Sequence, residues 1–161
     1  MLVSIAATAT LTGWSERTVW RRFSERLAKT EKSHGRSMIP FDAVQPHLCI
    51  PLTPDELPLL AAADAGDAES QSAIALIFLS NDQPKSAIRW LELAAKQGDA
   101  DAMNLLGVCS IKGEGLPQDD NLGIAWIAKA AACGHALSQR QIAGLRGRLS
   151  QQFAVRPGIE H

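Results

Sequence analysis

The feature that most constrains the fold is a repeat in the second part of the chain. Three short junctions match one another: residues 65–68 (Ala-Gly-Asp-Ala), 97–100 (Gln-Gly-Asp-Ala) and 133–136 (Cys-Gly-His-Ala). They recur at intervals of 32 and then 36 residues, and Trp90 and Trp126 also stand 36 residues apart. A period of this size is typical of a helical solenoid, in which each repeat buries its apolar face against its neighbours.

Each repeat unit is predicted to contain two helices. The recurring glycine suits a position just past a helix end, and the following Asp67 or Asp99 suits an N-cap. A half-unit precedes the two full units and another follows them, so the sequence predicts a mainly α protein with an α/α solenoid of about two full repeats and capping half-repeats. The expected helices are near residues 54–65, 68–80, 84–97, 100–112, 119–133 and 135–150.

Several spaced positions in the second unit resemble a known family. They are Leu-Gly at 106–107, Gly-Glu-Gly-Leu-Pro-Gln-Asp at 113–119, Ala-Trp at 125–126 and Lys-Ala-Ala at 129–131. This pattern resembles the Sel1-like repeat, a relative of the tetratricopeptide repeat, and the resemblance covers roughly residues 58–145. It implies an α/α solenoid that serves as a protein-interaction scaffold. Matching positions on the first helices are expected to line a groove for an unidentified protein partner: Gln71, Ser72, Met103, Asn104, Gln139 and Arg140.

Two positions depart from the repeat pattern. Ser110 stands where an aromatic residue is usual, and Gly123 stands where alanine is usual. Both are smaller than the residue they replace, so the second unit is expected to pack more loosely than a typical repeat.

The N-terminal part differs in charge from the rest of the chain. Residues 1–50 contain seven Lys and Arg against four acidic residues, whereas residues 51–161 contain nine against thirteen. All seven N-terminal bases lie between Arg17 and Arg36. Such an asymmetry is a reason to consider a polyanionic partner and predicts two domains with different roles.

Two short helices are predicted in this basic part. Ser4 caps one that runs to about Thr10, and Ser15 caps a second that runs to about Arg26. Val19 and Phe23, four residues apart, give the second helix a buried stripe over Trp14 or Leu11. A turn containing glycine joins the pair, as in a helix-turn-helix. A hairpin is then predicted from residues 28–32 and 36–39, followed by a helix that opens at Pro40.

Residues 3–48 resemble the winged helix-turn-helix of phage excisionases and MerR-type regulators. The resemblance implies that the second helix enters the major groove of double-stranded DNA and that the hairpin acts as a wing. It assigns DNA contacts to Ser15, Arg17, Thr18, Arg21, Arg22, Lys32 and Arg36. For Trp20 two roles stay open, stacking along the sugar-phosphate edge or packing under the wing.

The boundary between the two parts is predicted at residues 49–53. Thr53 and Glu56 form a capping box with Pro54 at the first helical position, so a new helix starts there. We therefore expect a winged helix-turn-helix domain over residues 1–50, a repeat domain over 51–152 and a frayed tail over 153–161.

Several classes of protein are disfavoured by composition. No apolar run is long enough to span a membrane, and no basic flank precedes the apolar N-terminal residues as in a signal peptide. The three scattered cysteines predict a reducing, cytoplasmic setting, and Cys109 and Cys133 are expected to be buried. The histidines are isolated, so no metal site, cofactor or enzymatic activity is predicted.

These observations predict a bacterial, non-enzymatic transcriptional regulator or regulatory adaptor that binds DNA with its N-terminal domain and a protein with its repeats. One such domain binds DNA modestly, so tight binding requires a second copy, supplied by a homodimer through the repeats or by a partner. The alternative is a protein-interaction scaffold whose N-terminal module does not bind DNA.

Overall fold

The computed structural model describes residues 1–27 and 37–154. In this part of the chain, helices dominate, and a short antiparallel sheet pairs β1 (Leu2–Ser4) with β2 (Met38–Pro40). No helix within these residues combines the length and the hydropathy that a membrane span needs. The α-helices are α1 (Ile5–Thr12), α2 (Glu16–Leu27), α3 (Phe41–Val44), α4 (Leu57–Ala65), α5 (Ala68–Ser80), α6 (Pro84–Lys96), α7 (Ala100–Lys112), α8 (Asp120–Ala132) and α9 (Ala136–Ala154).

The predicted solenoid is confirmed. The pairs α5–α6 and α7–α8 form the two full repeats, α4 precedes them and α9 follows them, and each helix packs on the next along the chain. The structure agrees with the predicted helix limits within about two residues except at α4, which begins three residues later at Leu57, and at α9, which extends to Ala154. Short helices are stable here because each repeat buries its apolar side chains against the next, rather than through intrinsic helix propensity.

The repeat junctions work as the sequence predicts. Asp67 accepts a hydrogen bond from the N–H of Ser70 at 2.8 Å, and Asp99 accepts one from the N–H of Ala102 at 2.6 Å. Hydrogen bonds from the hydroxyl and the N–H of Ser70 lower the pKa of the Asp67 carboxyl. Gly98, which precedes the second of these caps, has a φ of 92°, so it can close the preceding helix where other residues would be strained.

The third junction uses a histidine in place of the aspartate. The Nδ1 atom of His135 accepts a hydrogen bond from the N–H of Ser138 at 3.2 Å, which caps the start of α9. Because Nδ1 accepts this bond, the ring proton lies on Nε2, 3.2 Å from a carboxylate oxygen of Asp101. The sequence match at 133–136 therefore conserves the capping role with a different side chain.

The second repeat is packed more tightly than predicted, because Gly123 faces Gly107 across the α7–α8 contact. A Cβ atom on Gly123 would lie 2.5 Å from Cγ1 of Ile111 and 2.8 Å from the carbonyl oxygen of Gly107. A Cβ atom on Gly107 would lie 2.6 Å from Cγ1 of Ile127. The backbones of the two helices are thus too close for alanine, and the expectation that Gly123 loosens the unit is wrong.

Ser110 is the other departure, and it is wholly buried. Its hydroxyl donates a hydrogen bond of 3.0 Å to the carbonyl oxygen of Asp119, the N-cap residue of α8. The small polar side chain therefore ties the end of the α7–α8 loop to α7. This bond satisfies a buried polar group and replaces the packing that an aromatic side chain would supply.

The loop between α7 and α8, residues 113–119, is longer than its counterpart in the first repeat. It packs against the start of α6 in that repeat. Gly115 has a φ of 78°, and a Cβ atom there would lie 2.7 Å from the carbonyl carbon and oxygen of Pro84. The loop backbone thus packs directly against the first residue of α6, which only glycine permits.

The N-terminal module, residues 1–50, contains the two predicted helices, α1 and α2, joined by the turn Gly13–Trp14–Ser15. Ser4 caps α1 by accepting from the N–H of Ala7 at 3.1 Å. The described part of the predicted hairpin, β2, pairs with β1, with Val3 opposite Ile39. The other predicted hairpin strand, residues 28–32, lies outside the described residues, and a wing is not shown.

Residues 51–53, between the module and the repeats, form neither helix nor strand, and the backbone of Thr53 is extended. The capping box of Thr53 and Glu56 is confirmed, although the first turn after it is a 3-10 turn at Pro54–Glu56 that leads into α4. The buried apolar side chains nevertheless form one continuous core from Val3 to Ala130. The module and the repeats therefore share their interior.

We predict that Gly123→Ala destabilises the protein. The added methyl group overpacks the α7–α8 contact, which costs about 1–3 kcal/mol, and the better helix propensity of alanine returns about 1 kcal/mol. The net loss is measured by urea denaturation followed by circular dichroism. Gly144→Ala in α9 is the matched control, because a Cβ atom there meets nothing within 4 Å, so this variant is expected to gain stability. Equal stability of Gly123→Ala and the wild type would contradict the packing described here.

Candidate protein-binding groove between the N-terminal helices and the repeats

Helix α1 is buried between α2 and the repeats. Its eight residues are small or apolar, and seven of them are buried. Three are threonines, whose hydroxyls donate to carbonyl oxygens within the same helix or its N-cap: Thr8 to Ser4, Thr10 to Ala7 and Thr12 to Thr8, at 2.7–2.8 Å. These internal bonds allow the polar side chains to be buried, since no hydroxyl is left without a partner.

The start of α1 is tied to the helix that precedes the first repeat. The backbone N–H of Ser4 donates to Oδ2 of Asp64 at 2.7 Å, and the Ser4 hydroxyl donates to Oδ1 at 2.5 Å. The same hydroxyl caps α1, so Asp64 also fixes the direction in which that cap points. Hydrogen bonds to a carboxylate are roughly twice as strong as neutral ones.

The end of α1 is tied to the first repeat through Thr10. Its carbonyl oxygen accepts from the hydroxyl of Ser86 at 2.9 Å, and its hydroxyl oxygen accepts from the indole N–H of Trp90 at 3.1 Å. Trp90 is 3% exposed. The tryptophan that marks the repeat in the sequence therefore binds the N-terminal module as well as filling the space beside its own repeat.

An ion pair crosses the same junction near the surface. A guanidinium nitrogen of Arg89 in α6 lies 2.7 Å from a carboxylate oxygen of Glu16 in α2, and both side chains are about half exposed. Exposed pairs of this kind add little stability. Its effect here is to neutralise both charges at the edge of the junction.

A groove of about 750 Å³ runs along this junction. Its walls combine the buried ring of Trp90 with two exposed apolar side chains, Trp20 of α2 at 47% and Leu93 of α6 at 44%. Lys96, in the last turn of α6, also lines it and has no ion pair within the described part of the chain. The groove thus presents apolar surface to solvent, and its charged lining residues balance, with Arg89 and Lys96 against Glu16 and Asp64.

The predicted DNA-binding residues of α2 lie on its outer side. Arg17 and Arg21, one turn apart, are exposed, and Thr18 is half-buried. Arg22 folds onto the N-terminal turn, with its guanidinium carbon 4.3 Å from the centre of the Trp14 ring. The Ser15 hydroxyl caps α2 by accepting from the N–H of Thr18 at 3.2 Å.

Two further predicted DNA contacts, Lys32 and Arg36, lie outside the described residues. Trp20 borders the groove and faces the repeat side of the junction. The two roles considered for Trp20 from the sequence, stacking on DNA and packing under the wing, stay predictions, because most of the predicted wing lies outside the described residues. No sequence signal pointed to the groove, because the packing of α1 on both α2 and α6 joins segments far apart in the chain.

Four of the six residues predicted to line a groove on the first helices are buried: Gln71, Ser72, Met103 and Asn104. The Ser72 hydroxyl donates to Oδ1 of Asp99 at 2.7 Å, and the Asn104 amide donates to the Ser138 hydroxyl at 2.8 Å. These bonds join each first helix to the next repeat. The polar side chains at matching positions therefore connect the repeats, and Gln71 also lines the groove at the junction.

The remaining two, Gln139 and Arg140, are exposed near the start of α9. Gln139 donates to the carbonyl oxygen of Ala131 at 3.2 Å, and Gln71 makes the same bond to the carbonyl oxygen of Ala63 at 3.1 Å. In both cases the glutamine reaches back eight residues to the end of the preceding helix. The match in sequence thus reflects a shared structural contact.

Comparison with known proteins supports the assignment of residues 77–135 as helical repeats. Residues 77–99 and 100–135 match the family model described as Sel1 repeat. Residues 77–135 carry Sel1 repeats. The crystal structure of a Sel1 repeat protein from Oxalobacter formigenes is similar to this chain, with a TM-score of 0.50 and 30% sequence identity over 55% of this chain. The similar part is 27% of that protein's length. A search of curated proteins gives no match.

Sel1 repeats suggest a protein-protein interaction scaffold. The family match begins at Ile77 and ends at His135. It therefore leaves out the N-terminal module, and no similarity to a winged helix-turn-helix is found there.

One arrangement among the Sel1 repeats resembles a catalytic triad in its residue types. The Ser138 hydroxyl lies 2.7 Å from Nδ1 of His135, whose Nε2 lies 3.2 Å from Asp101. Ser138 is wholly buried, and its hydroxyl also accepts a hydrogen bond from Asn104. A nucleophile must be accessible to its substrate, so we assign this cluster to capping α9.

The cysteines and the titratable clusters offer no site in the described residues. Cys109 is buried, as predicted, and burial together with the charge of Glu114 raises the pKa of its thiol. Cys133 is exposed just after α8, so its predicted burial is wrong: the junction turn leaves this position on the surface. Within residues 1–27 and 37–154 no group of His, Cys, Asp and Glu is placed to hold a metal ion.

We predict that Asp64→Ala weakens the attachment of the N-terminal module to the Sel1 repeats. The change removes the acceptor of two hydrogen bonds from Ser4, which costs about 1.5–3 kcal/mol, measured by urea denaturation. Glu92→Ala is the control, because Glu92 is exposed on α6 and the change removes the same charge. It should alter stability by less than about 0.5 kcal/mol. Equal effects of the two variants would show that the Asp64 contacts do not matter.

Proposed function

We propose that the chain is a protein-interaction module in which the N-terminal helices and the Sel1 repeats bind a partner together. The observation that carries the proposal is the groove at their junction, where Trp20 and Leu93 expose apolar surface beside Lys96. The three unpaired cysteines are consistent with a reducing, cytoplasmic setting.

The composition of the groove favours a segment of protein as its occupant. Recognition sites are concave and largely apolar, with a few polar groups that fix orientation, and large aromatic residues commonly dominate their binding energy. Trp20 supplies such an aromatic anchor. Lys96 stands in the last turn of α6, where the helix dipole stabilises its charge, and it suits a carboxylate on the bound segment.

We predict that Leu93→Asp abolishes capture of the partner. A charge in the wall of the groove cannot be buried against an apolar segment without a large desolvation cost. The tagged full-length chain, wild type and variant, is incubated with lysate of the source organism, and captured proteins are quantified by mass spectrometry. Loss of at least about tenfold of a captured protein is expected.

Leu76→Asp is the matched control, because Leu76 is 49% exposed on α5 and does not line the groove. It should leave capture unchanged. Circular dichroism checks that both variants fold. If the captured proteins are the same for the wild type and both variants, the groove is not the binding site.

DNA binding by α2 is a second candidate function. The observation in its favour is that Arg17 and Arg21 are exposed on one side of α2 and have no ion pair within the described residues. Against it stand the two acidic residues of the same helix, Glu16 and Glu25, and the net charge of −1 for the whole chain. The interaction module is therefore the function that we favour.

The double variant Arg17→Ala, Arg21→Ala tests this second function. If the N-terminal domain neutralises about five phosphates, the logarithm of the affinity for a random duplex falls against the logarithm of salt concentration with a slope of roughly −4 to −5. The variant should then lower both affinity and slope in fluorescence anisotropy. Arg146→Ala, Arg148→Ala in α9 is the charge-matched control. Absence of wild-type binding at low salt would exclude this function.

A further inference from the structure

The last helix, α9, has an apolar stripe that the repeats cover only in part. Ile142, Leu145, Leu149 and Phe153 follow one another at intervals of three or four residues and so share one face of the helix. The first two are half-buried against the preceding repeat. Leu149 is 44% exposed and Phe153 75%, the highest exposure of any large apolar side chain in the described residues.

A second groove lies beside this stripe. It has a volume of about 280 Å³ and lies between α8 and α9. Its apolar lining includes Ile124 and Ile127 of α8 together with Ile142 and Leu145. In the two full repeats the first helix is packed against the second helix that follows it, α5 by α6 and α7 by α8. In the described part of the chain, α9 has no such following helix.

The charge of α9 is of one sign. Arg140, Arg146 and Arg148 are its only charged residues, and none has an ion pair within the described part of the chain. Arg148 also lines the groove. Arg146 and Arg148 flank the stripe, whereas Arg140 lies on the opposite side of the helix, and Asp120 of α8 also lines the groove. The surface therefore combines an apolar stripe with two unpaired positive charges and one carboxylate.

We propose that α8 and α9 form a docking surface for an acidic amphipathic helix of another protein. The stripe and groove accept apolar side chains spaced by one helical turn, and the arginines pair with carboxylates that flank them, which is the helix-in-groove mode of recognition. This surface lies at the other end of the array from the groove beside Trp20, so it is independent of the function proposed above.

Charge and shape disfavour the other two occupants. A second copy of α9 would bring four arginines together, Arg146 and Arg148 of each copy, and like charges at a helix contact repel. A lipid surface needs an apolar face that is free along the helix. Here Ile142 and Leu145 are turned towards the repeat, which leaves Leu149 and Phe153 alone to insert.

The probe is a fluorescein-labelled synthetic helix of about three heptads, with leucine at the two seam positions of each heptad and glutamate at most others. The full-length chain should bind it in fluorescence anisotropy, more weakly as salt is raised. Leu149→Ser, Phe153→Ser should reduce the affinity about tenfold or more. Leu76→Ser, at a similarly exposed leucine of α5, should leave it unchanged.

The role of charge is tested by exchange. A second probe with lysine in place of glutamate should not bind the wild type, but it should bind the variant Arg146→Glu, Arg148→Glu, which in turn should lose the acidic probe. Failure of the wild type to bind the acidic probe, or equal binding of both probes, would overturn the proposal.

Two further measurements test the other occupants directly. If the wild type sediments as a dimer and Phe153→Ser as a monomer, the occupant is a second copy. If the wild type cosediments with phosphatidylglycerol vesicles and Leu149→Ser, Phe153→Ser does not, the occupant is a lipid surface. Either result overturns the proposal. Variants of Leu93 should leave probe binding unchanged, which separates this test from that of the groove beside Trp20.

Discussion

The burial of α1 between α2 and the repeats is the constraint on which the rest of the structure depends. A helix in this position needs small side chains, so that its neighbours can approach, and hydrogen-bond partners for every buried polar group. The Ala and Thr residues of α1 meet both conditions, because the Thr hydroxyls bond to carbonyl oxygens of the same helix. Asp64 holds its start and Trp90 holds its end. These contacts join residues before position 51 to residues after position 53, so the two parts of the chain share one core. The groove beside Trp20 exists only because this contact is made.

The repeats could be predicted from the sequence because their determinants are local. Each junction contains a glycine that closes one helix and a capping residue that opens the next, and helix limits follow from such short signals. The prediction failed where the decisive contact lies across the structure. From the sequence, Gly123 is expected to loosen the packing of its repeat. In the structure it faces Gly107, and there is no room for a methyl group between the two helices. Likewise, His135 caps α9, although histidine is not one of the residue types that usually cap helices.

The candidate site could be predicted only in part, for a related reason. Periodicity identifies residues that share a helix face, but it does not tell which faces become contacts between repeats. Gln71 and Asn104 are polar residues near the start of the first helix of each repeat. The side-chain amide of each donates a hydrogen bond to a neighbouring helix. Trp20 and Leu93 belong to different parts of the chain, and only the docking of α2 beside α6 places them along one groove. Both binding surfaces that we propose thus lie at the ends of the array, where the repeat pattern is interrupted.

The two full repeats differ in the loop that joins their helices, which is longer in the second repeat, at residues 113–119. Gly115 rests on the backbone of Pro84, so the longer loop has its support in the repeat that comes before it. Thirty-six residues further along, the position of Pro84 is taken by Asp120. The atoms that the loop contacts are the carbonyl group of Pro84 and the side chain of Ile88, and the residue 36 positions after Ile88 is again isoleucine, Ile124. A copy of α7–α8 placed after the original would therefore offer its loop the same two contacts, a backbone carbonyl and an isoleucine, without requiring the proline.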